Sequence, residues 1–252
     1  MTPASRSKQG REALANDLLA KWTRAGLSTE PANRSLALEG VEEMYHAFGA
    51  KSPRIHWCVS PQEAARQRRN QLTKREMNPP NILDELNFRI GLGLRVRLSV
   101  MVEQIAPKRL VTAARKKFIE TSFDGYGSCI NAATFRQQSY RHFKPQCYGQ
   151  HDALWLAYYD FFARVYSRPD LWKPLRGLAR VVSNTGLIIP HQNDCWIVDR
   201  PCENQLQEQE QSSDQQKYMV RYRDGFKVRF ASYYSRLGAS KLNSKPSKNI
   251  PF

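Results

Sequence analysis

Residues 152–166 read Asp152-Ala-Leu-Trp-Leu-Ala-Tyr-Tyr-Asp-Phe-Phe-Ala-Arg-Val-Tyr166. Leu154, Trp155, Leu156, Tyr158, Tyr159, Phe161, Phe162, Val165 and Tyr166 fall on successive helical turns and leave almost no polar side. A helix apolar nearly all round belongs inside a core, so this stretch is read as the central helix around which the rest packs.

Downstream, Leu175, Leu178, Val181 and Val182 predict a second helix to about Asn184, with Gly186 past its end. Cys195-Trp-Ile-Val198 reads as a buried strand. Asn204–Gln216 holds six glutamines and little that is apolar, and reads as a flexible loop. The last element is a hairpin around Asp224-Gly225. A two-residue turn there mixes polar and apolar groups on both faces. A three-residue loop, Arg223-Asp224-Gly225 with Gly225 left-handed, instead pairs Tyr222 with Phe226, Val220 with Val228 and Tyr218 with Phe230. That register predicts Lys227 and Arg229 on an exposed basic face, Arg221 opposite Lys227 and Met219 opposite Arg229.

Upstream, 121–149 is loop-like, with Gly125, Gly127, Pro145 and Gly149. Residues 106–120 predict a basic helix. From Phe88 to Val102 every even position is apolar, which predicts one long strand, its edge free to pair with a partner strand. Ser60-Pro61-Gln62-Glu63 is a helix start: Ser60 caps, the proline sits in the first turn, and Glu63 reaches back. Before it, Ile55, Trp57 and Val59 predict a short strand with one buried face. Leu14, Leu18, Trp22 and Ala25 give a helix over 11–25. A second helix follows the start signal Ser28-Thr-Glu-Pro31, with Ala37, Val41, Met44, Tyr45 and Phe48 as its stripe and Gly49 at its end. The fold class expected is α+β, mainly helical in the N-terminal two-thirds with short strands, closing on a C-terminal β-hairpin. It comprises a flexible tail 1–10, one domain 11–239 with a basic insert 61–120, and a basic tail 240–252.

Charge is patterned. Of 39 Lys and Arg residues, thirteen lie between Pro61 and Glu120 against six acids, and eight between Arg221 and Phe252 against one. The hundred residues between those blocks balance at ten and ten, so the net +16 sits mostly in two places. Two localised basic blocks point to a polyanion, RNA or DNA, or to a multi-subunit assembly containing one. The candidate phosphate contacts are Arg66, Arg68, Arg69, Lys74, Arg75, Lys108, Arg109, Arg115, Lys116, Lys117, Arg221, Lys227 and Arg229. Five cysteines at irregular spacing, without a CxxC pair, suit a reducing, cytoplasmic compartment. No apolar run is long enough to span a membrane.

Catalytic motifs are missing: there is no phosphate-binding glycine loop, dinucleotide signature or Ser-His-Asp pattern. His191, Asp194, Cys195, Asp199 and Arg200 form the densest polar cluster, and an enzyme site there is the alternative reading. His191 with Cys195 and Cys202 matches no common zinc spacing, so no metal or cofactor is expected. Asp199-Arg200-Pro201 reads as a structural ion pair closing a strand. Asp152 reads as a helix cap and Asp160 as a core acid bonded to tyrosine or arginine. His56, opposite the Ile55/Trp57 face, reads as a surface residue.

Two blocks carry a family resemblance. One is Trp22-Thr-Arg-Ala-Gly-Leu-Ser-Thr-Glu-Pro31, then Ala-Asn-Arg34, Tyr45, Gly49, Pro53, Trp57, Ser60 and Pro61. The other runs from Gly149-Gln-His-Asp-Ala153 through Tyr159-Asp-Phe-Phe162 and Val198-Asp-Arg-Pro201 to Tyr222-Arg-Asp-Gly-Phe226. Together they resemble an uncharacterised bacterial domain family of unknown function, over most of residues 18–230. Its members often carry tandem Ser/Val/Trp- or Ser/Gln/Leu-rich repeats between the blocks, and some are joined to leucine-rich repeats. The resemblance implies no substrate, cofactor or catalytic residue. Gly186-Leu-Ile-Ile-Pro190-His191 stands where relatives are aromatic-rich, and the glutamines replace an Arg-Leu-His segment. Ala231-Ser-Tyr-Tyr-Ser-Arg236 replaces a His-Gly pair. An activity that used those histidines would be lost in this chain.

Overall fold

A computed structural model describes residues 7–73, 76, 85–119, 130–132, 134, 146–207 and 216–232, leaving out side chains at 205–207, 216–218 and 230–232. The elements are α1 (Lys8–Leu27), α2 (Arg34–Ala47), β1 (Arg54–Cys58) and α3 (Pro61–Gln71). A helical turn (Leu86–Phe88), a π-helical segment (Arg89–Gly93) and α4 (Leu94–Ile105) follow, then α5 (Lys108–Ala114) and a second π segment (Arg115–Ile119). The chain continues with β2 (Tyr148–Gly149), α6 (Ala153–Val165), α7 (Pro169–Trp172), α8 (Arg176–Asn184), β3 (Leu187–Pro190) and β4 (Asp194–Val198). It ends with β5 (Glu203–Gln207), β6 (Gln216–Arg221) and β7 (Lys227–Ser232). The fold is α+β, with helices concentrated in the N-terminal two-thirds.

α6 is the central helix: of its thirteen residues only Trp155 and Arg164 escape full burial. Its Asp160, buried, accepts from Arg164 Nε at 2.6 Å and from Trp22 Nε1 at 3.4 Å, which ties α1 to α6. Asp152, ahead of the helix, accepts from the Gly149 N–H at 2.8 Å and pairs with Arg95. α2 lies along α8, and the linker between α1 and α2 is stitched down by buried polar groups. Gln150 Nε2 donates to the carbonyls of Ala25 (3.1 Å) and Ser28 (2.7 Å), and the Asn33 N–H donates to Asn184 O at 2.8 Å. Asn33 caps α2, accepting from the Leu36 N–H at 3.2 Å. The Ser28-to-Pro31 signal therefore lies in the linker, because α2 takes the nearest side chain that can bond its first free N–H.

One sheet has the order β1-β4-β3-β2, with β1 parallel to β4 and the others antiparallel. Its β3 and β2 stand where no strand is expected; Tyr148–Gly149 lies at the end of the stretch read as loop. In β1 Ile55 and Trp57 are half-buried against the core as expected, but Val59 is exposed and Cys58, on the other face, is fully buried, so both faces of the strand are partly covered. Ser60 and Glu63 do open α3: the Glu63 N–H donates to Ser60 Oγ at 3.1 Å, and Glu63 reaches back to the Val59 N–H at 2.7 Å.

The Phe88–Val102 strand is overturned. The backbone is helical from Leu86 to Ile105, with Phe88, Gly93 and Leu94 all right-handed. The even-numbered apolar residues form two stripes of period four. Ile90, Leu94, Leu98 and Val102 face the core, and Leu92, Val96 and Val100 face outward. Period two and a helix with two apolar sides share the same letters here, and leucine and arginine favour the helix. No strand edge exists there to pair with a partner. The π segment coincides with a close approach: a Cβ at Gly91 would sit 1.9 Å from the Tyr148 hydroxyl, which donates to Asn87 O at 2.8 Å. Glycine leaves room for a buried tyrosine to cross the helix.

The glutamine-rich stretch is partly corrected as well. Glu203–Gln207 is a strand, so the hairpin grows to a three-stranded sheet β5-β6-β7; residues 208–215 lie outside the described residues. At the other end, Lys8–Gly10 belong to α1, capped by Ser7, and not to a tail. The hairpin register is the one that segregates polarity: Tyr218 pairs with Phe230, Val220 with Val228 and Arg221 with Lys227. Gly225 has φ +86°, and the Tyr222 N–H donates to Phe226 O at 2.9 Å. Val228 and Tyr222 are buried, Lys227 and Arg229 exposed.

Candidate functional site

α3 lies on β1 and β4, and its helical turn sorts the arginines expected to touch phosphate. Arg66 and Arg69 face outward, Arg66 standing 3.9 Å from Glu63. Arg68 is 1% exposed and is no phosphate contact: it lies in the interior, where its charge acts on Glu85 and His191. Burial raises the Glu85 pKa and Arg68 lowers it, with burial prevailing. Lys74 and Arg75 lie outside the described residues.

The 108–119 segment packs through Leu110, Val111, Ala114 and Phe118. The same turns place Lys108, Arg109, Arg115 and Lys116 outward, and no acid occurs between Gln104 and Ile119. Arg115 bonds Glu103 at 2.6 Å, and Lys117 is turned back to Asn16 of α1 at 2.7 Å. This segment packs on α6, whereas α3 packs on the sheet. On the small sheet Lys227 and Arg229 share an exposed face. Arg221 is held by Glu203 across the strand pair, and its hydrogen bonds keep the Glu203 pKa low. An acid of this chain thus relieves the Arg221–Lys227 repulsion.

The residues of the alternative site are separated. His191 and Asp194 stand at the start of β4, Asp199 and Arg200 beyond its end, about 16 Å of strand away. Asp199 lies 3.5 Å from Arg223, not on Arg200. Arg200 is a buried staple that donates to the carbonyls of Ser183 and Glu30. The expected Asp199–Arg200 pair is therefore replaced by two separate tethers.

At the start of β4 the structure adds a residue that sequence reasoning placed on the surface. His56 Nε2 lies 2.7 Å from Asp194 Oδ1, and Arg54 grips the same carboxylate through Nε and Nη2, both at 3.1 Å. The His56 ring stacks on Trp196 at 5.3 Å. Burial works to raise the Asp194 pKa, but the bonds from His56 and Arg54 outweigh it and leave it low. Tyr45 pins the adjoining turn, its hydroxyl bonding His191 O at 2.7 Å. His191 is buried, and burial together with Arg68 lowers its pKa against the opposing pull of Glu76 and Asp194. Only the alternation of β1 hints at His56; its partner lies 138 residues away.

This cluster holds an imidazole against a carboxylate, and among the described residues no activated thiol stands beside it. The thiol of Cys58 is pushed up to about 12, by burial first and then by Glu63 and Asp199. Burial likewise pushes Cys147 up to about 12 and raises Cys195. Among the described residues no three His, Cys, Asp or Glu side chains are grouped to hold a metal, and no helix is long and apolar enough to cross a membrane. No protein-family model, no curated protein and no solved structure matches the chain.

Proposed function

We propose that this chain is a non-enzymatic, nucleic-acid-associated protein, a cytoplasmic subunit of a ribonucleoprotein or DNA-bound assembly. The observation that carries the reading is the outward row of Lys108, Arg109 and Lys116, with no acid between Gln104 and Ile119; Arg115 lies on the same segment but is paired with Glu103. Such a face attracts phosphates and pays no desolvation to stay charged. Lys227 and Arg229 supply a second, smaller contact on the sheet, and Arg66 and Arg69 a third on α3. The enzyme reading is weaker, because β4 holds its residues apart and burial keeps the thiols of Cys58, Cys147 and Cys195 protonated. Kinship with the bacterial domain family rests on the two motif blocks and adds no substrate.

The test is salt dependence. Three phosphate contacts give a log–log slope of binding against salt of about −2 to −2.7, and removing two of them flattens it by about 1.5. Lys108→Gln with Arg109→Gln, measured on RNA and DNA oligonucleotides, is expected to show that change with folding intact, since both side chains are exposed. Binding that ignores salt, or an unchanged slope in the double variant, removes the proposal.

A further inference from the structure

We infer that the outer face of α4 is a docking site for an acidic amphipathic helix of a partner protein. Among the described residues five large apolar side chains are exposed. Leu36 and Val59 stand alone, but Leu92, Val96 and Val100 are 45%, 58% and 49% exposed and lie four residues apart along one continuous helical stretch, the π segment Arg89–Gly93 running into α4. That spacing sets one aliphatic group on each turn of the same side, a ridge two turns long. The opposite side of the helix is already anchored by Leu94, Leu98 and Val102, so the ridge contributes nothing to the core. Contiguous exposed apolar groups on a folded surface mark interaction sites, whereas single ones do not.

Charge and size choose the occupant. Arg97 is exposed beside Val96, and Glu103, the acid at the end of the ridge, is already neutralised by Arg115. Lys108 and Lys116 are exposed on the next helical segment, which has no acid of its own between Gln104 and Ile119. The rim therefore favours an acidic partner. A second copy of this chain would bring like charges together, and a ridge two turns long has room for one helix, not for a broad self-complementary face. The chain's own end is mismatched too: residues 240–252 carry three lysines and no acid. A single helix laying leucines along the ridge, with glutamates facing Arg97, satisfies both conditions.

The experiment uses two synthetic helical peptides of about five turns. They share one leucine stripe, with glutamates elsewhere in one and lysines in the other. Their binding to the full chain is followed by fluorescence anisotropy. The glutamate peptide is expected to bind and the lysine peptide to fail. Val96→Asp is expected to weaken binding about tenfold or more, a loss of at least one 1.4 kcal/mol step. Arg97→Glu is expected to reverse the peptide preference. Val96 and Arg97 are exposed, so both variants fold, which circular dichroism verifies. Val96→Asp leaves Lys108 and Arg109 in place, and Lys108→Gln with Arg109→Gln leaves the ridge in place, so this inference and the nucleic-acid reading fail separately. Equal binding of the two peptides, binding of neither, or indifference to Val96→Asp overturns the inference. So does a Val96-dependent dimer in sedimentation equilibrium, which assigns the ridge to a second copy. Val96-dependent pelleting with phosphatidylserine vesicles overturns it in favour of a lipid surface.

Discussion

Gly177→Ala is the substitution whose cost the packing defines best. α2 and α8 cross at Gly40 and Gly177, and a Cβ at 177 would lie 2.5 Å from Met44 N, 2.6 Å from Gly40 O and 2.8 Å from Met44 Cα. These are backbone atoms, so no side chain can swing away. To reach ordinary contact near 3.5 Å the helices must part by about 1 Å, and a gap of that size forfeits a quarter to a half of each neighbouring dispersion contact. Overpacked cores lose about 1–3 kcal/mol, and a backbone obstacle belongs at the upper end. Alanine returns at most about 1 kcal/mol through helix propensity. The net loss is about 2 kcal/mol, or about 4–8 °C in Tm for a chain of this size. Urea and thermal denaturation followed by far-ultraviolet dichroism measure it. Gly40→Ala meets its nearest atoms at 2.9–3.1 Å and should cost less. The double variant should cost less than the sum, because both methyls open the same crossing. A Gly177→Ala protein as stable as the parent, or more so, would show that the helices do not touch as described.

Two further outcomes concern ionisation and the hairpin. His191 is held neutral by burial and Arg68, with Glu76 and Asp194 opposing, so its folded pKa lies below the unfolded value near 6.5. As pH falls from about 6.5 toward the folded pKa, the unfolded chain takes up the proton first and stability drops; His191→Gln should flatten that limb of a urea-midpoint against pH curve, and an unchanged limb contradicts the burial. Gly225→Ala places a side chain at φ +86°, with open space around it, so the cost is conformational alone, about 1 kcal/mol. No loss in its denaturation midpoint would refute the three-residue turn.

Much of the secondary structure follows from neighbours in sequence. Ser60, Pro61 and Glu63 open α3 because the groups that satisfy its first N–H donors lie within four residues of one another. The Asp224-Gly225 turn sets its register because only one loop length segregates apolar from charged positions over the next five residues. The α6 stretch identifies itself, since an all-round apolar helix has nowhere to go but the core. These are short-range or composition effects, and one chain contains all the terms.

The rest depended on which distant surface arrived. Apolar groups at every second position from Phe88 to Val102 suit a strand or a two-sided helix equally, and Tyr148 crossing at Gly91 belongs to the helical solution. Arg66, Arg68 and Arg69 look alike as letters; only the sheet beneath α3 turns Arg68 inward and leaves its neighbours to solvent. His56 and Asp194 meet because β1 and β4 pair in parallel, a contact with no local signature. By itself the sequence determined the charge blocks, the central helix, the cap of α3 and the hairpin register. The tertiary structure alone decided which cations remain at the surface and which apolar ridge is left uncovered, because burial is a property of the surface that covers a residue.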